Sequence, residues 1–201
     1  ILFVAGPDSF ERHGSRRLLF YPDSAAPQAL AADARLTAAA TEALRAAELL
    51  EFQRNDPQAA AALYRSAART GDGAARAAAL VRLGRSLRKA GRADEALDAY
   101  TELATLSSTM VPGSGLPAEL VAREGRCSAL AENGNPDELH REASALLRDL
   151  EDGRWRLTRS AYEFRANEAR AWLAGSTHAA PPPATPAATD TFAISDAAGT
   201  L

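Results

Sequence analysis

The chain has few of the residues that build reactive centres. It holds one cysteine in 201 residues, Cys127, so no intrachain disulfide or cysteine-built metal site can form. Cys127 sits among small residues on an expected helix, which reads as a packing thiol rather than a nucleophile. His13, His140 and His178 lie far apart, and none has an acidic or cysteine neighbour at metal-ligand spacing. Gly71, Gly73, Gly113 and Gly115 form neither a phosphate loop nor a dinucleotide fingerprint. Asp94-Glu95 and Asp137-Glu138 fall in the first turns of expected helices, where the macrodipole accounts for them. The reading is non-enzymatic, with no cofactor, metal or catalytic residue. Lysine is nearly missing as well. Lys89 is the only one, and arginine supplies the other basic residues. A net charge of −3 provides no overall field for nucleic acid or an anionic membrane. No apolar run in this stretch approaches the roughly 20 residues that cross a bilayer, and none reads as a signal peptide, which says little about a longer parent protein. The chain opens on Ile1 rather than methionine and is read as a segment of a longer protein.

What is present is alanine punctuated by leucine. Hydrophobic residues make up 46% of the chain and aromatics only 6%, a balance that favours closely packed helices over sheets. The length suits one domain with tails. Residues 1–22 stand apart: the apolar runs Ile1–Ala5 and Arg17–Tyr21, separated by the turn chemistry of Gly6-Pro7-Asp8, suggest a small β-hairpin. Residues 28–175 carry helical periodicity. A helix is expected over 28–54, with Leu36, Ala40, Leu44 and Ala47 on one face. Asp56-Pro57 is an N-cap followed by proline at the first helical position, and Ala60, Tyr64 and Ala67 mark the next buried stripe. Thr70–Gly73 reads as a turn and Met110–Pro117 as a loop. Helices over 118–133 and 136–152 follow, the second opened by Asn135-Pro136. A last helix over 160–173 is opened by the capping-box spacing of Ser160 and Glu163 and stopped at Gly175. Trp155 and Trp172 are placed to seal it against the stack. Residues 176–201, with Pro181–Pro183, read as a disordered tail or linker.

The stretch Ala77–Met110 is the most specific in the chain. Leu80, Leu83, Gly84 and Leu87 lie on one helix, Gly91 breaks it, and Ala96, Tyr100 and Leu103 lie on the next. Gly84 and Ala96 are small where helices must approach closely. This alternation of large and small positions resembles the tetratricopeptide family. The resemblance implies an all-α fold of antiparallel helical hairpins stacked in a short solenoid. Aligning turns at Asn55, Gly91 and Gly134 gives two further, degenerate copies at offsets of 36 and 43 residues, against 34 in the family. The first copy places Glu48 at a position that should be tiny. The third keeps Cys127, Leu130 and Leu146 but has Arg123 and Arg126 at normally apolar positions.

Five phrases, in order, are similar to the extracytoplasmic sensor region of certain bacterial membrane-bound histidine kinases. They are Arg17-Leu18-Leu19-Phe20-Tyr21-Pro22, Glu48-Leu49-Leu50-Glu51-Phe52, the stretch from Arg82 to Gly91, Leu116-Pro117-Ala118-Glu119-Leu120 and Gly153-Arg154-Trp155-Arg156-Leu157. The resemblance implies a periplasmic sensing segment of a two-component system, between two membrane helices, with any kinase activity outside it. The alternative is a stand-alone helical scaffold for protein–protein interaction, cytoplasmic in that case. Family geometry would project Val81, Arg85, Arg88 and Lys89 onto a concave face beside Arg45, Leu49, Phe52 and Gln53. Such a groove could hold an acidic peptide or a carboxylate terminus, or the cations could be a solvated helix face. The partner expected is a peptide or protein, with a homodimer also compatible.

Overall fold

The computed structural model describes residues 36–177, and the expected N-terminal β-hairpin (1–22) and tail (beyond 177) lie outside them. Within those bounds the protein is mostly helical, with seven α-helices and one small two-stranded sheet. Leu36 and Thr37 are not helical, so the expected helix over 28–54 does not run unbroken. Thr37 is extended, and its hydroxyl accepts from the Ala40 N–H at 3.2 Å, which starts α1 at Ala38–Glu48. The chain then widens into a π-helical turn, Leu49–Gln53, closed by Arg54 N–H to the Leu49 carbonyl at 3.2 Å. Asn55, with φ of 50°, reverses the chain. Asp56 caps α2 (Pro57–Thr70) through the Ala59 N–H at 2.9 Å, with Pro57 in its first turn, as the sequence predicts.

The helix α3 (Gly73–Lys89) is the central element. Asp72 caps it, and Ala77, Ala78, Ala79, Leu80, Leu83, Gly84, Ser86 and Leu87 are all buried. Such wide burial follows from its position, packed against α2 on one side and α4 (Ala93–Ala104) on the other. Even its buried Ser86 is satisfied, donating to the Pro57 carbonyl at 2.8 Å. The expected loop at 110–117 contains a miniature antiparallel sheet, β1 (Met110–Val111) paired with β2 (Leu116–Pro117). Gly113 and Gly115, at φ of 87° and 63°, supply the left-handed backbone that so tight a reversal needs. Leucine and valine at the sheet's inner register, Leu116 and Val111, are buried.

Next come α5 (Ala118–Glu132) and α6 (Pro136–Glu151), the latter capped by Asn135 through the Glu138 N–H at 3.3 Å. The last helix, α7, spans Arg159–Thr177 and so runs past the expected stop at Gly175. Its cap is Thr158, whose hydroxyl accepts from Ala161 N–H at 3.2 Å, and not Ser160. Glu163 instead pairs with Arg159 one turn back. Each helix lies mainly against its neighbours in the chain. No helix among the described residues is long and apolar enough to cross a membrane.

Two apolar cores result. One gathers α1 to α4, with Ala118, Ala122 and Ala129 of α5, around Leu44, Tyr64, Leu80, Leu87 and Leu103. The other gathers α5 to α7 around Leu120, Leu130, Leu146, Leu150 and Trp155, and half-buried Leu97 and Val121 touch both. Trp155 seals the second core as expected, while Trp172 is only half-buried against it. Ala67 is also half-buried, and its neighbours Ala61 and Ala68 take the buried positions of α2 with Ala60 and Tyr64. Gly84 and Ala96 are buried, as the close-crossing argument requires. The close partner of Gly84 is a ring, however, and not a second backbone. A Cβ added to Gly84 would sit 2.5 Å from the Tyr100 ring, and one added to Gly125 on α5 would meet the same ring equally closely. Tyr100 is thus clamped between glycines of two different helices.

Candidate functional site

The buried stripe of α1 runs Leu44, Ala47 and then, four residues on, Glu51. A carboxylate has been carried into the interface with α3, and its side chain is wholly buried. Burial alone would push its carboxyl up. Four hydrogen bonds reverse that. Arg85 donates through Nε at 2.9 Å and Nη2 at 2.7 Å, Lys89 Nζ donates at 2.7 Å, and the Tyr64 hydroxyl donates at 2.9 Å. Together they hold Glu51 below the usual carboxylate range. The Tyr64 phenol is shifted upward, first by burial and then by its bond to Glu51, so it stays a donor. Charge-assisted bonds of this kind are roughly twice as strong as neutral ones.

The same turn directs Phe52 outward. Its ring is 59% exposed, with Lys89 Nζ 4.3 Å and the Arg85 guanidinium 5.1 Å from the ring centroid. Cations this close to an aromatic face are attracted by its quadrupole. Leu49, at the start of the π-helical turn, is exposed as well. The structure therefore brings Phe52, Arg85 and Lys89 together over Glu51, with Leu49 alongside on the same short turn.

The other residues expected in the groove are arranged differently. Arg88 points toward α5, where it forms a two-pronged pair with Glu132. That bond, ahead of an opposing burial effect, shifts its guanidinium upward, and Glu132 is lowered in return. Arg45 is highly exposed and lies 3.8 Å from Glu42 on its own helix. Val81 is half-buried against the first core, so it supports the face rather than lining it. Gln53 is exposed. Each cation expected in the groove is engaged by a carboxylate of this chain, Arg85 and Lys89 by Glu51, Arg88 by Glu132 and Arg45 by Glu42. Glu48, expected to be out of place, extends to Arg82 at 2.7 Å and clears the crossing.

Glu51, Tyr64 and Glu132 are the participants that sequence reasoning missed. One signal was available: Glu51 continues the three-and-four spacing of Leu44 and Ala47, so a glutamate stands on an apolar stripe. Elsewhere, Cys127 is buried and its thiol is pushed up to about 12, chiefly by burial, which keeps it protonated. His140 lies on the exposed side of α6, and His13 and His178 lie outside the described residues. Compared with protein-family models, curated proteins and solved structures, the chain matches none.

Proposed function

We propose that this chain is a non-enzymatic recognition domain, a tetratricopeptide-like stack that binds a peptide or protein on the face formed by α1, its π-helical turn and α3. The observation that carries this reading is Phe52: a large ring exposed on a turn whose geometry is fixed from beneath by a buried carboxylate and two cations. Exposed aromatics on a rigid support are the common anchors of binding surfaces, and π-helical turns recur at functional sites. The order of the five sequence phrases supports the further reading that the domain is the periplasmic sensor of a bacterial membrane-bound histidine kinase. In that role a ligand would shift the relative position of the segment's ends by binding one arrangement more tightly than another.

Two experiments test these two levels. For recognition, Phe52→Ala in the parent protein is expected to lose a cross-linked partner that the wild type retains, while circular dichroism stays unchanged. An unaltered cross-linking pattern would remove the α1–α3 face from consideration. For the sensor role, the gene on either side of this segment is expected to encode two apolar spans and a downstream kinase core. A gene without them would leave the scaffold reading in its place.

A further inference from the structure

The distribution of charge around Phe52 restricts what the face can hold. The Glu51 side chain is wholly buried, whereas those of Arg85 and Lys89 are 37% and 43% exposed. Two cations answer one carboxylate, and the positive partners are the ones that reach solvent. Lys89 Nζ carries three donors and directs one at Glu51, so donors remain on the outer side. Arg88 adds nothing to this surplus, because Glu132 neutralises it. Glu42 and Glu132 are answered by Arg45 and Arg88, so these pairs cancel. Arg54, at the end of the turn that carries Phe52, is exposed as well. A small positive centre therefore lies beside an exposed ring.

We propose that this face binds a peptide segment of a partner protein in which a carboxylate adjoins an apolar or aromatic side chain. The carboxylate takes the outer donors of Lys89 and Arg85, and the apolar side chain packs on Phe52 and Leu49. Lys89 Nζ lies 4.3 Å from the Phe52 ring centroid, so charge and apolar contact are met together only by neighbouring side chains. The inference deepens the recognition reading above and rests on it; what it adds is the pairing of a carboxylate with an apolar neighbour.

The test uses three dodecapeptides of otherwise neutral polar sequence, each with a central phenylalanine, carrying no glutamate, one glutamate beside the phenylalanine or one at the first residue. They are titrated into the full chain at low ionic strength by fluorescence anisotropy. The peptide with the adjacent glutamate is expected to bind about tenfold more tightly than either of the others. Phe52→Ala is expected to remove that binding, and Lys89→Met to equalise the adjacent-glutamate and neutral peptides. Equal affinity for all three peptides, tightest binding of the peptide with the distant glutamate, or indifference to Phe52→Ala would overturn the proposal. Absence of binding by every peptide would overturn it too. The recognition reading would then stand or fall separately on the cross-linking of the parent protein.

Discussion

The hairpin of α3 and α4 and the hairpin of α5 and α6 solve the same packing problem with different materials. In α3, Leu80 is fully buried among apolar neighbours. Forty-three residues later α5 places Arg123 at the matching position, its side chain only 14% exposed. The chain meets that charge with Glu142 at 3.2 Å and with Asp149, both on α6, and Arg126 lies within 4 Å of Glu138 and Glu142. Arg154 adds a bridge from Asp149 to Glu119. Both hairpins bury leucines, but the second adds an ionic lattice along its seam, whereas the first carries an exposed pair, Arg76 with Glu102. The lesson is that a helical hairpin can keep its pairing if every intruding charge finds an opposite one on the facing helix. What it gains in specificity of pairing it gives up in robustness to pH and salt.

The largest expected effect lies at the buried carboxylate of the first half, Glu51. Glu51→Ala leaves buried Tyr64 without its acceptor and Arg85 and Lys89 with solvent alone, which should lower stability by about 2–3 kcal/mol in chemical denaturation. A loss under 1 kcal/mol would mean that this carboxylate contributes little and that the contrast between halves is overdrawn. Next in size, Gly84→Leu or Gly125→Leu must displace the Tyr100 ring, at a cost of about 1–3 kcal/mol read as a lower melting temperature. An unchanged Tm would argue against the clamp.

A pH effect of similar size separates the halves further. Glu124 on α5 faces Arg165 and Glu168 on α7. Burial, opposed by Arg165 and aided by Glu168, raises its carboxyl to about 7. Its Oε1 and the Arg165 Nε are 3.1 Å apart but not aligned as a hydrogen bond, which leaves burial the stronger influence. A folded value above the ordinary 4.5 means that stability from this group is fully present below about 4.5 and is lost as pH rises toward 7. Glu51 has the opposite sign: its contribution is present above 4.5 and is lost as pH falls below that. Thermal stability should therefore be greatest in the weakly acidic range. Glu124→Gln should flatten the decline between pH 5 and pH 7, worth about 1–3 kcal/mol, and leave the acid limb in place. A wild-type profile level from pH 5 to pH 7 would contradict this.

Smaller still, the double change Arg123→Leu with Glu142→Leu brings the third hairpin closer to the second. It should be neutral or stabilising by about 1 kcal/mol, and should reduce the salt dependence of unfolding. Strong destabilisation would show that the ionic seam is indispensable.

How much of this was legible in the sequence depended on the type of residue. Asp56-Pro57, Asn135-Pro136 and the positive-φ turns at Gly91 and Gly134 act through local chemistry, and they lie where the sequence puts them. The apolar stripe of Ala77–Met110 was equally plain, because burial follows periodicity. Local cues misled where two were in competition: Thr158 displaces Ser160 as the cap of α7, and Thr37 starts α1 later than its periodicity suggests. The candidate site was half visible. Phe52, Arg85 and Lys89 were identified as neighbours from the repeat offset, yet their charge state depends on Glu51, 34 and 38 residues away from its two cations. Pairings at that distance leave no mark on local pattern. The π-helical turn that sends Phe52 outward is equally invisible to a reading that assumes 3.6 residues per turn.

The phenol ring of Tyr100 fills a notch cut by the missing side chains of Gly84 and Gly125, so three helices share one joint. A methyl group added to either glycine should be harmful beside tyrosine and far better tolerated beside a smaller residue such as leucine at 100. Those three sites are therefore coupled in any redesign: none can be changed without consulting the other two.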